Sequence, residues 1–388
     1  MLMKILFLTY HGFDEASGIT KKIQAQVKGL RQNGHEVHIC SYDVRADGHR
    51  CRFVDGEVIA DYGCGTWAAI IQRADYRCVY RYCIDHQIDL VYSRSYMNAT
   101  PPLVWLFKRL RKAGVRSVME IPTYPYDHEF DGYDWNQRMR LRVDQLCRRK
   151  LAAQMDAIVT FSDEERIFGQ RTIRISNGVD FDSIPLLQPS SIIHPSSEVH
   201  LIAVAEVHSW HGFDRLVHGL GEYYKKYDWN PERKVYFHLV GYVWPAEMEG
   251  SSVAPGIAPY IREYGIEKYV EFHGKLFGDE LTAVFNRCSF AIGSLARHRS
   301  GITVIKTLKN REYACRGIPF IYSESDSDFD HQPYVLKAPA DESPIDIEAI
   351  LDFLDRQTMS PAEIRQTVEH LSWQQQMKIV LDTLTSMS

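Results

Sequence analysis

Three charged side chains, Lys309, Arg311 and Glu312, lie close together in a short helix-like segment that ends at Gly317. The free N–H groups and the dipole at the start of a helix attract anions, and the two cations would strengthen that attraction for a diphosphate. Glu312 would accept hydrogen bonds from the hydroxyl groups of a ribose, as acidic residues do in dinucleotide sites. The segment therefore predicts a nucleotide-binding helix, and an amphipathic helix with solvated charges is the alternative.

The composition indicates a globular protein with no electrostatic preference for nucleic acid. The 388 residues are 45% hydrophobic, which is enough for two domains with separate cores. Lysine and arginine number 45 against 50 aspartates and glutamates. The eight cysteines show no metal-like spacing, which is typical of reduced thiols. The apolar start is too short for a signal peptide and no stretch is long enough to span a membrane, so we expect a cytoplasmic protein.

Strand-like and helix-like patterns alternate along the chain in two series. The predicted strands are 4–9, 36–40, 89–93, 117–121 and 156–160, then 199–204, 235–240, 270–272, 290–292 and 320–322. This alternation predicts α/β domains with parallel sheets. A polar connector at 177–197 separates the series, which gives expected domains at 1–177 and 178–371. Ligands bind beyond the carboxyl ends of such strands, so we expect a site in the cleft between the domains.

Two common nucleotide-binding motifs are absent from the sequence. The loop after the first strand, 11–18, lacks the G-x-G-x-x-G pattern of dinucleotide enzymes, and Gly241 and Gly293 stand alone. No Walker A motif occurs either. A nicotinamide-dependent enzyme and a P-loop kinase are therefore poorly supported.

Six short motifs occur in an order that resembles the nucleotide-sugar glycosyltransferases of family 4. They are M-K-I-L-F at 3–7, G-I-T-K-K at 18–22, G-H-E-V at 34–37, I-S-N-G-V-D at 175–180, W-H-G-F-D-R at 210–215 and F-H-G-K-L at 272–276. The resemblance spans nearly the whole chain and implies the α/β fold called GT-B. In that fold two Rossmann-like domains with parallel sheets face a central cleft. It also implies that a C-terminal helix at 372–388, with Ser372 as its N-cap and Trp373 as a packing anchor, returns to the first domain.

The resemblance assigns donor binding mainly to the second domain. Glu312 takes the place of the second glutamate in the family's E-x-x-x-x-x-x-x-E motif, which contacts the nucleotide ribose. Lys309 and Arg311 would neighbour the diphosphate. The expected donor-binding residues are Gly18, His211, Gly241, Gly274, Lys275, Leu276, Arg297, Lys306, Lys309, Arg311 and Glu312. A nucleoside-diphosphate sugar is the expected co-substrate, with no metal and no further cofactor.

Main-chain groups are expected to complete the donor site. Those at 274–276 would hold the base, with Gly241 lining the same pocket. Gly18 would let the backbone of the first domain approach the phosphates, because a side chain there would block contact. Ordinary loop glycines are the alternative for Gly18 and Gly241.

Some positions depart from the family pattern. Val304 stands where the first glutamate of the motif is expected, and opening a gap brings Arg297 or His298 there, so recognition of the donor sugar must differ. Glu206 replaces a phosphate-binding arginine, and His211, where a lysine is usual, could bind phosphate when protonated. The side chains expected to replace the missing cations are Arg297, Arg299, Lys306, Lys309 and Arg311.

The acceptor side is expected in the first domain, in the segment 120–129 that follows a predicted strand. Its ionisable residues Glu120, Asp127 and His128 are the candidates for catalytic contact with hydroxyl groups. Tyr124 and Tyr126 could stack on a sugar face. A turn stiffened by proline is the alternative.

Two basic stretches, 105–112 and 138–150, could contact a membrane peripherally. Lipid-linked acceptors are common in the family, and basic helices favour anionic lipid surfaces. The solvated face of an ordinary helix is the alternative.

Three functions remain open. The resemblance implies transfer of a sugar to a hydroxyl group with retention, in polysaccharide or glycoconjugate biosynthesis, without a protein base. A sugar-nucleotide epimerase or hydrolase on the same fold would need a carboxylate or histidine aimed at the sugar. A non-catalytic nucleotide-sugar binder would fit the missing first glutamate. The base, sugar and acceptor stay open.

Overall fold

The computed structural model describes residues 2–13, 18–95, 97–127, 135–188 and 197–387. It divides into two compact units, Met1–Gly178 with Ser372–Ser388, and Val179–Leu371. Each unit is an α/β domain, as the alternation of patterns predicts.

The described strands of the first unit form one sheet in the order β4-β3-β2-β1-β5-β6-β7-β9-β8. Neighbouring strands are parallel throughout the run β2-β1-β5-β6-β7-β9. At one edge β3 pairs antiparallel with both β2 and β4, and at the other β8 pairs antiparallel with β9. The antiparallel additions at both edges are not expected from the sequence pattern. The strands are β1 Lys4–Leu8, β2 Glu36–Val44, β3 Arg50–Val54, β4 Glu57–Asp61, β5 Leu90–Arg94, β6 Arg116–Ile121, β7 Ala157–Thr160, β8 Arg166–Ile167 and β9 Gln170–Arg174.

Helices cover both faces of this sheet. Ile23, Val27 and Leu30 form the buried stripe of α1, against one face of the sheet, while α3, α4 and α5 bury apolar residues against the other. The helices are α1 Gly18–Gln32, α2 Gly65–Ala74, α3 Arg77–Asp85, α4 Pro101–Lys112 and α5 Trp135–Ala152.

The second unit has a sheet whose described strands are all parallel, in the order β12-β11-β10-β13-β14-β15. The strands are β10 Glu198–Val204, β11 Lys234–Val240, β12 Val270–Gly274, β13 Phe290–Ile292, β14 Phe320–Tyr322 and β15 Val335–Lys337. Core clusters lie on both faces, which is typical of a doubly wound sheet. The helices are α6 Phe213–Lys226, α7 Pro245–Glu249, α8 Ile257–Tyr264, α9 Gly278–Phe285, α10 Leu308–Arg316, α11 Ile347–Arg356 and α12 Pro361–Thr367.

The last helix, α13 (Trp373–Ser386), packs on α1 of the first unit. Ser372 caps it, because its hydroxyl accepts a hydrogen bond from the Gln375 N–H at 3.3 Å. Trp373 is buried, and a Cβ added at Gly178 would lie 2.4 Å from its ring. A Cβ added at Gly29 of α1 would lie 2.6 Å from the Trp373 carbonyl oxygen, so this close contact requires glycine. Trp373 therefore packs closely against both glycines.

Candidate functional site

The loops that leave β13 and β14 run side by side at the carboxyl edge of the second sheet. The N–H of Gly293 donates to the Ile321 carbonyl at 2.7 Å, and the N–H of Ser323 donates to the Ser294 carbonyl at 2.9 Å. Helix α10 begins at the same place, since a Cβ added at Gly293 would lie 3.0 Å from Oδ1 of Asn310. The fold thus places a helix start at the edge where α/β domains bind ligands.

Buried polar atoms at this edge have no hydrogen-bond partner among the described residues. They belong to one group of side chains, here called the edge cluster: Oγ of Ser294, Oγ1 of Thr307, Nζ of Lys309, Oδ1 and Nδ2 of Asn310, and both carboxylate oxygens of Glu324. Buried polar groups in folded proteins are almost always paired, so several unpaired groups at one place call for a partner such as a ligand, an ion or water. The edge cluster therefore has the composition of a binding site for a polar, charged ligand.

Lys309 is the cation of the edge cluster. The residue is only half-buried, but its Nζ is shielded from solvent and lies 5.7 Å from the centre of the Phe213 ring. Burial, with the nearby positive charge of Arg297, lowers the pKa of Lys309 to about 7, against a smaller opposite effect of Glu324. An anion bound here would supply the partner that this ammonium group lacks.

Glu324 is the acid of the edge cluster, in the loop after β14. Burial raises the pKa of its carboxyl group to about 7, although the charges of Arg297, Lys309 and Lys337 act in the opposite direction. A carboxyl group with a pKa in this range is typical of functional sites. Sequence reasoning missed Glu324. An acidic residue two positions after an apolar strand, Phe320–Tyr322, was the signal that could have found it.

His211 lies at this edge but does not carry the expected positive charge. Burial and the charges of Lys309 and Arg297 lower its pKa well below the usual value, so the ring is neutral. Its Nδ1 accepts a hydrogen bond from the His208 N–H at 2.9 Å, which leaves the ring proton on Nε2. His211 can therefore donate one hydrogen bond, whereas the expected phosphate contact by a protonated ring does not fit.

Arg297 and Lys306 lie in sequence between Ser294 and Thr307 of the edge cluster. The Arg297 guanidinium lies 5.5 Å from the centre of the Trp210 ring, and its charge lowers the pKa of Lys309. Nζ of Lys306 lies 4.0 Å from a carboxylate oxygen of Asp328. Arg297 is thus close to the expected diphosphate position, while Lys306 is partly neutralised.

Arg311 does not occupy the position expected for a phosphate ligand. It is fully buried, and it donates to Asp326 at 2.7 and 3.2 Å, to Asp328, and to the Thr307 carbonyl at 2.9 Å. These acceptors neutralise its charge and fix the loop after β14 to α10. Two residues apart on a helix differ by about 200° in direction, so Arg311 and Lys309 face opposite sides.

Arg299 is likewise engaged within the protein. It donates to the Asp214 carboxylate at 2.9 and 2.8 Å and to the Ser209 carbonyl at 2.9 Å. Glu342 accepts from the same guanidinium at 3.0 Å. Arg299 therefore ties the start of α6 to neighbouring loops, and its expected role as a replacement phosphate ligand does not fit.

Glu312 is held in place by its own helix. Arg316, one turn later, donates from Nε and Nη2 to Oε1 of Glu312 at 3.0 and 2.9 Å. The Arg316 guanidinium itself stacks on the Phe285 ring at 4.1 Å. The Glu312 side chain stays 32% exposed, so it is oriented and still accessible to a hydroxyl group.

The segment expected to hold the base lies at the ends of β11 and β12. The Gly241 N–H donates to the Gly274 carbonyl at 2.7 Å, which brings the two glycines together. Gly241 has a φ of +132°, and a Cβ there would lie 1.8 Å from the Ala205 carbonyl oxygen, so glycine is required. Lys275 and Leu276 continue from Gly274, with Leu276 packed on the core.

Gly18 begins α1 in the first unit, directly after residues 14–17, which lie outside the described residues. It is exposed, and a Cβ added there would meet no atom within 4 Å. Local packing therefore does not require glycine at this position, and its approach to phosphates stays a prediction.

Glu120, an expected catalytic candidate, is fully buried in the first unit. Tyr92 and Gln26 donate to it at 2.6 and 2.5 Å, and the cations of Arg94 and Lys22 lie 3.2 and 3.6 Å away. Burial alone would raise the pKa of Glu120, but the two cations and the hydrogen bonds together keep it below its usual value. This placement fits an anchor between α1 and the sheet rather than a group that meets an acceptor.

Asp127 and His128 are the other two catalytic candidates on the acceptor side. Asp127 accepts two hydrogen bonds from Arg148, at 2.6 and 3.1 Å, and remains partly exposed. His128 lies outside the described residues. Tyr126 is buried and donates to Asp144 at 2.6 Å, so its ring does not form a surface for stacking on a sugar.

Comparisons with known proteins identify the fold. Residues 17–168 match the glycosyl transferase 4-like domain. Sucrose-phosphate synthase from Thermosynechococcus elongatus has a similar structure, with 14% identity over 100% of both chains and a TM-score of 0.62. The catalytic domain of starch synthase IV from Arabidopsis thaliana, bound to ADP and acarbose, has 12% identity over 100% of this chain and 99% of that one, with a TM-score of 0.61.

The chain has the GT-B fold of the glycosyltransferases and resembles their family 4. Anabaena HepE, in complex with UDP and glucose, has the same fold, with 17% identity over 99% of this chain and 100% of that one and a TM-score of 0.58. No curated protein sequence matches the chain. None of the described helices of this GT-B protein has the length and apolarity needed to cross a bilayer.

Proposed function

We propose that this GT-B protein transfers a sugar from a nucleoside-diphosphate sugar to an acceptor hydroxyl group, in polysaccharide or glycoconjugate biosynthesis. The observation that carries the proposal is Nζ of Lys309, a buried cation at the start of α10 with no hydrogen-bond partner among the described residues. A diphosphate would supply the negative charge that this position favours. The bound UDP and ADP in the structures of HepE and starch synthase IV support a nucleotide donor.

The proposed reaction needs stabilisation of a leaving group more than it needs a protein base. The bond between the anomeric carbon and the diphosphate oxygen breaks, and a new bond to the acceptor oxygen forms on the same face. The acceptor proton passes to the departing phosphate. Lys309, Arg297 and the free N–H groups of α10 would stabilise the negative charge that develops on the diphosphate. No metal ion takes part in this step.

Glu312 and the segment 274–276 would hold the nucleoside part of the donor. Arg316 orients the carboxylate of Glu312, which would accept hydrogen bonds from the ribose hydroxyls. Main-chain groups of the segment 274–276 would contact the base.

Glu324 would supply the acidic contact that the family pattern places at Val304. The backbones of Val304 and Ser325 pair in a parallel β-bridge, so Glu324 lies next to the position of the missing glutamate. Its buried oxygens have no hydrogen-bond partner among the described residues, so they are available to hydroxyl groups of the donor sugar.

A peripheral contact with anionic lipid is proposed for α5 rather than α4. In α4, Leu106, Phe107 and Leu110 are buried in the core, so the apolar face of the helix is already used. In α5 the exposed apolar residues recur every three or four positions: Trp135, Met139, Val143 and Leu146. Arginines flank this stripe, an arrangement typical of helices at lipid surfaces. Such a contact suits a lipid-linked acceptor.

The proposed function is tested by measuring release of nucleoside diphosphate from a panel of nucleotide sugars, with and without sugar and lipid-linked sugar acceptors. Transfer predicts release that depends on an acceptor, together with a product carrying the added sugar. Release without an acceptor would identify a hydrolase, and a changed sugar without release would identify an epimerase. Binding with no turnover across the panel would identify a nucleotide-sugar binder.

A further inference from the structure

Three histidines lie in a row across three neighbouring strands of the second sheet. His200 is on β10, His238 on β11 and His273 on β12, and β12 is the edge strand. Nδ1 of His200 lies 2.8 Å from Nε2 of His238, and Nδ1 of His238 lies 3.0 Å from Nε2 of His273. His238, in the middle, is fully buried.

Glu271 completes a triangle of ligand atoms with two of these histidines. Its register partner across the sheet is His238. Oε2 of Glu271 lies 3.3 Å from Nδ1 of His238 and 3.7 Å from Nε2 of His273, and the third edge is the 3.0 Å between the two nitrogens. A tetrahedral Zn²⁺ ion with bonds of about 2.0–2.2 Å separates its ligand atoms by about 3.4 Å. The triangle therefore has the size of one face of a tetrahedral metal site.

We propose that this triangle binds one divalent transition-metal ion of the Zn²⁺ class. The ligands are Nδ1 of His238, Nε2 of His273 and Oε2 of Glu271, with the fourth position open to water. Two imidazoles and one carboxylate suit Zn²⁺ and its first-row neighbours, whereas Mg²⁺ and Ca²⁺ prefer oxygen ligands alone.

His200 supports the site as a positioning residue. When Nε2–H of His238 donates to Nδ1 of His200, the lone pair of His238 Nδ1 points at the metal position. His273 then binds through Nε2 with its proton on Nδ1, so loading the metal needs a change of tautomer and no net loss of a proton. Such hydrogen bonds from metal-binding histidines are the usual way in which ring orientation is fixed.

Arg287 is the competing cation. Its guanidinium lies 3.8 Å from Oε2 of Glu271, and its side chain is more than half exposed. It can therefore leave the carboxylate for solvent when a metal ion arrives, at a cost in affinity.

The ion would clamp the edge strand β12 to β11. Gly274, the last residue of β12, directly follows His273 and leads into the segment 274–276, so the clamp would steady that segment. The metal-binding proposal rests on the geometry of the triangle alone and does not depend on the proposed function.

The test is a titration of the chelator-treated full-length protein with Zn²⁺ by calorimetry and with Co²⁺ by visible absorption. One equivalent should bind, with the intense ligand-field bands of tetrahedral Co²⁺ and a rise in melting temperature. His273→Gln and Glu271→Gln should each weaken Zn²⁺ binding by more than the about 10–100-fold that is typical for loss of a residue hydrogen-bonded to a ligand, and Arg287→Gln should tighten it.

The matched control is His218→Gln, which removes a partly buried histidine that lies 3.6 Å from Glu222 in the same unit and should leave binding unchanged. Absence of metal binding in the wild-type protein would overturn the proposal and leave the row as hydrogen-bonded histidines. Binding that survives both His273→Gln and Glu271→Gln, or that is lost in His218→Gln, would overturn it as well.

Discussion

Lys309 and Glu324 lie at the carboxyl edge of the second sheet, close enough for their opposite charges to shift each other's pKa. Neither side chain has a hydrogen-bond partner among the described residues. A buried ammonium and a buried carboxylate that only served stability would be expected to bond directly. Their separate, unpaired state indicates that the edge is built for a ligand. The stability of the unliganded protein is lower as a result.

Lys309→Met should therefore separate stability from binding. Removing the buried ammonium should raise the melting temperature. Affinity for nucleoside diphosphates should fall by about 10–100-fold, the value of a charge-assisted hydrogen bond. Arg311→Met is the matched control on the same helix, because it breaks a buried ion pair and should destabilise the fold by about 3–5 kcal/mol. A Lys309→Met protein that is less stable than wild type would show that the lysine serves the fold.

Binding of a nucleotide sugar should weaken as the pH rises through about 7. Lys309, with a pKa of about 7, loses its charge over this range and with it the attraction for the diphosphate. Ionisation of Glu324, also with a pKa of about 7, acts in two directions, because the carboxylate repels the diphosphate but accepts more strongly from the sugar hydroxyls. The lysine therefore sets the sign of the pH dependence. A nucleotide sugar is the better probe, because the terminal phosphate of a free diphosphate itself titrates with a pKa of about 6. The fall in affinity with rising pH should largely disappear in Lys309→Met. An unchanged pH dependence of the affinity in that variant would rule out the lysine as its origin.

Glu312→Gln should weaken ribonucleotide binding through the loss of charged hydrogen bonds to the ribose, by about 1.5–3 kcal/mol. The 2′-deoxy nucleotide offers one hydroxyl fewer, so the variant should discriminate less between the two nucleotides than wild type does. Calorimetry with both nucleotides measures this difference. Glu280→Gln, an exposed position on α9, is the control. An equal loss for both nucleotides would place Glu312 away from the 2′-hydroxyl.

Leu146→Glu should reduce co-sedimentation with vesicles that contain anionic lipid, because it places a negative charge in the exposed apolar stripe of α5. Trp135→Glu should act in the same direction. Ile379→Glu, an exposed apolar residue of α13, should leave sedimentation unchanged. Vesicle binding that is absent in wild type, or equal in all three variants, would contradict the proposed contact.

The sequence predicted most of the fold because the parallel strands are apolar runs separated by helical stripes. The run 290–292, for example, is β13 as observed. The antiparallel strands β3 and β4 were not predicted, because both Arg50–Val54 and Glu57–Asp61 mix polar and apolar residues. β4 is the edge strand and none of its five residues is buried, so its pattern is weak. β3 is largely buried, but one of its buried residues is the charged Arg52.

The candidate site was predictable only in part, because the sequence shows which side chains are charged but not the direction in which each one points. Lys309 and Arg311 look equivalent in sequence, and only the turn of the helix shows that Arg311 faces two aspartates. The charge of His211 depends on burial, which its neighbours in space decide. The row of three histidines could not be predicted from the sequence. Sheet order and register bring together residues such as His200 and His273 that are far apart in sequence.

The central claim is that the edge cluster holds the diphosphate of a nucleotide-sugar donor. It is tested most directly by calorimetric titration of wild type and Lys309→Met with a nucleoside and with its diphosphate, for each of the common bases. At least one diphosphate should bind wild type well above its nucleoside, and Lys309→Met should remove most of that difference while leaving nucleoside binding unchanged. A wild-type protein that binds no diphosphate, or a variant that keeps the full difference, would contradict the claim.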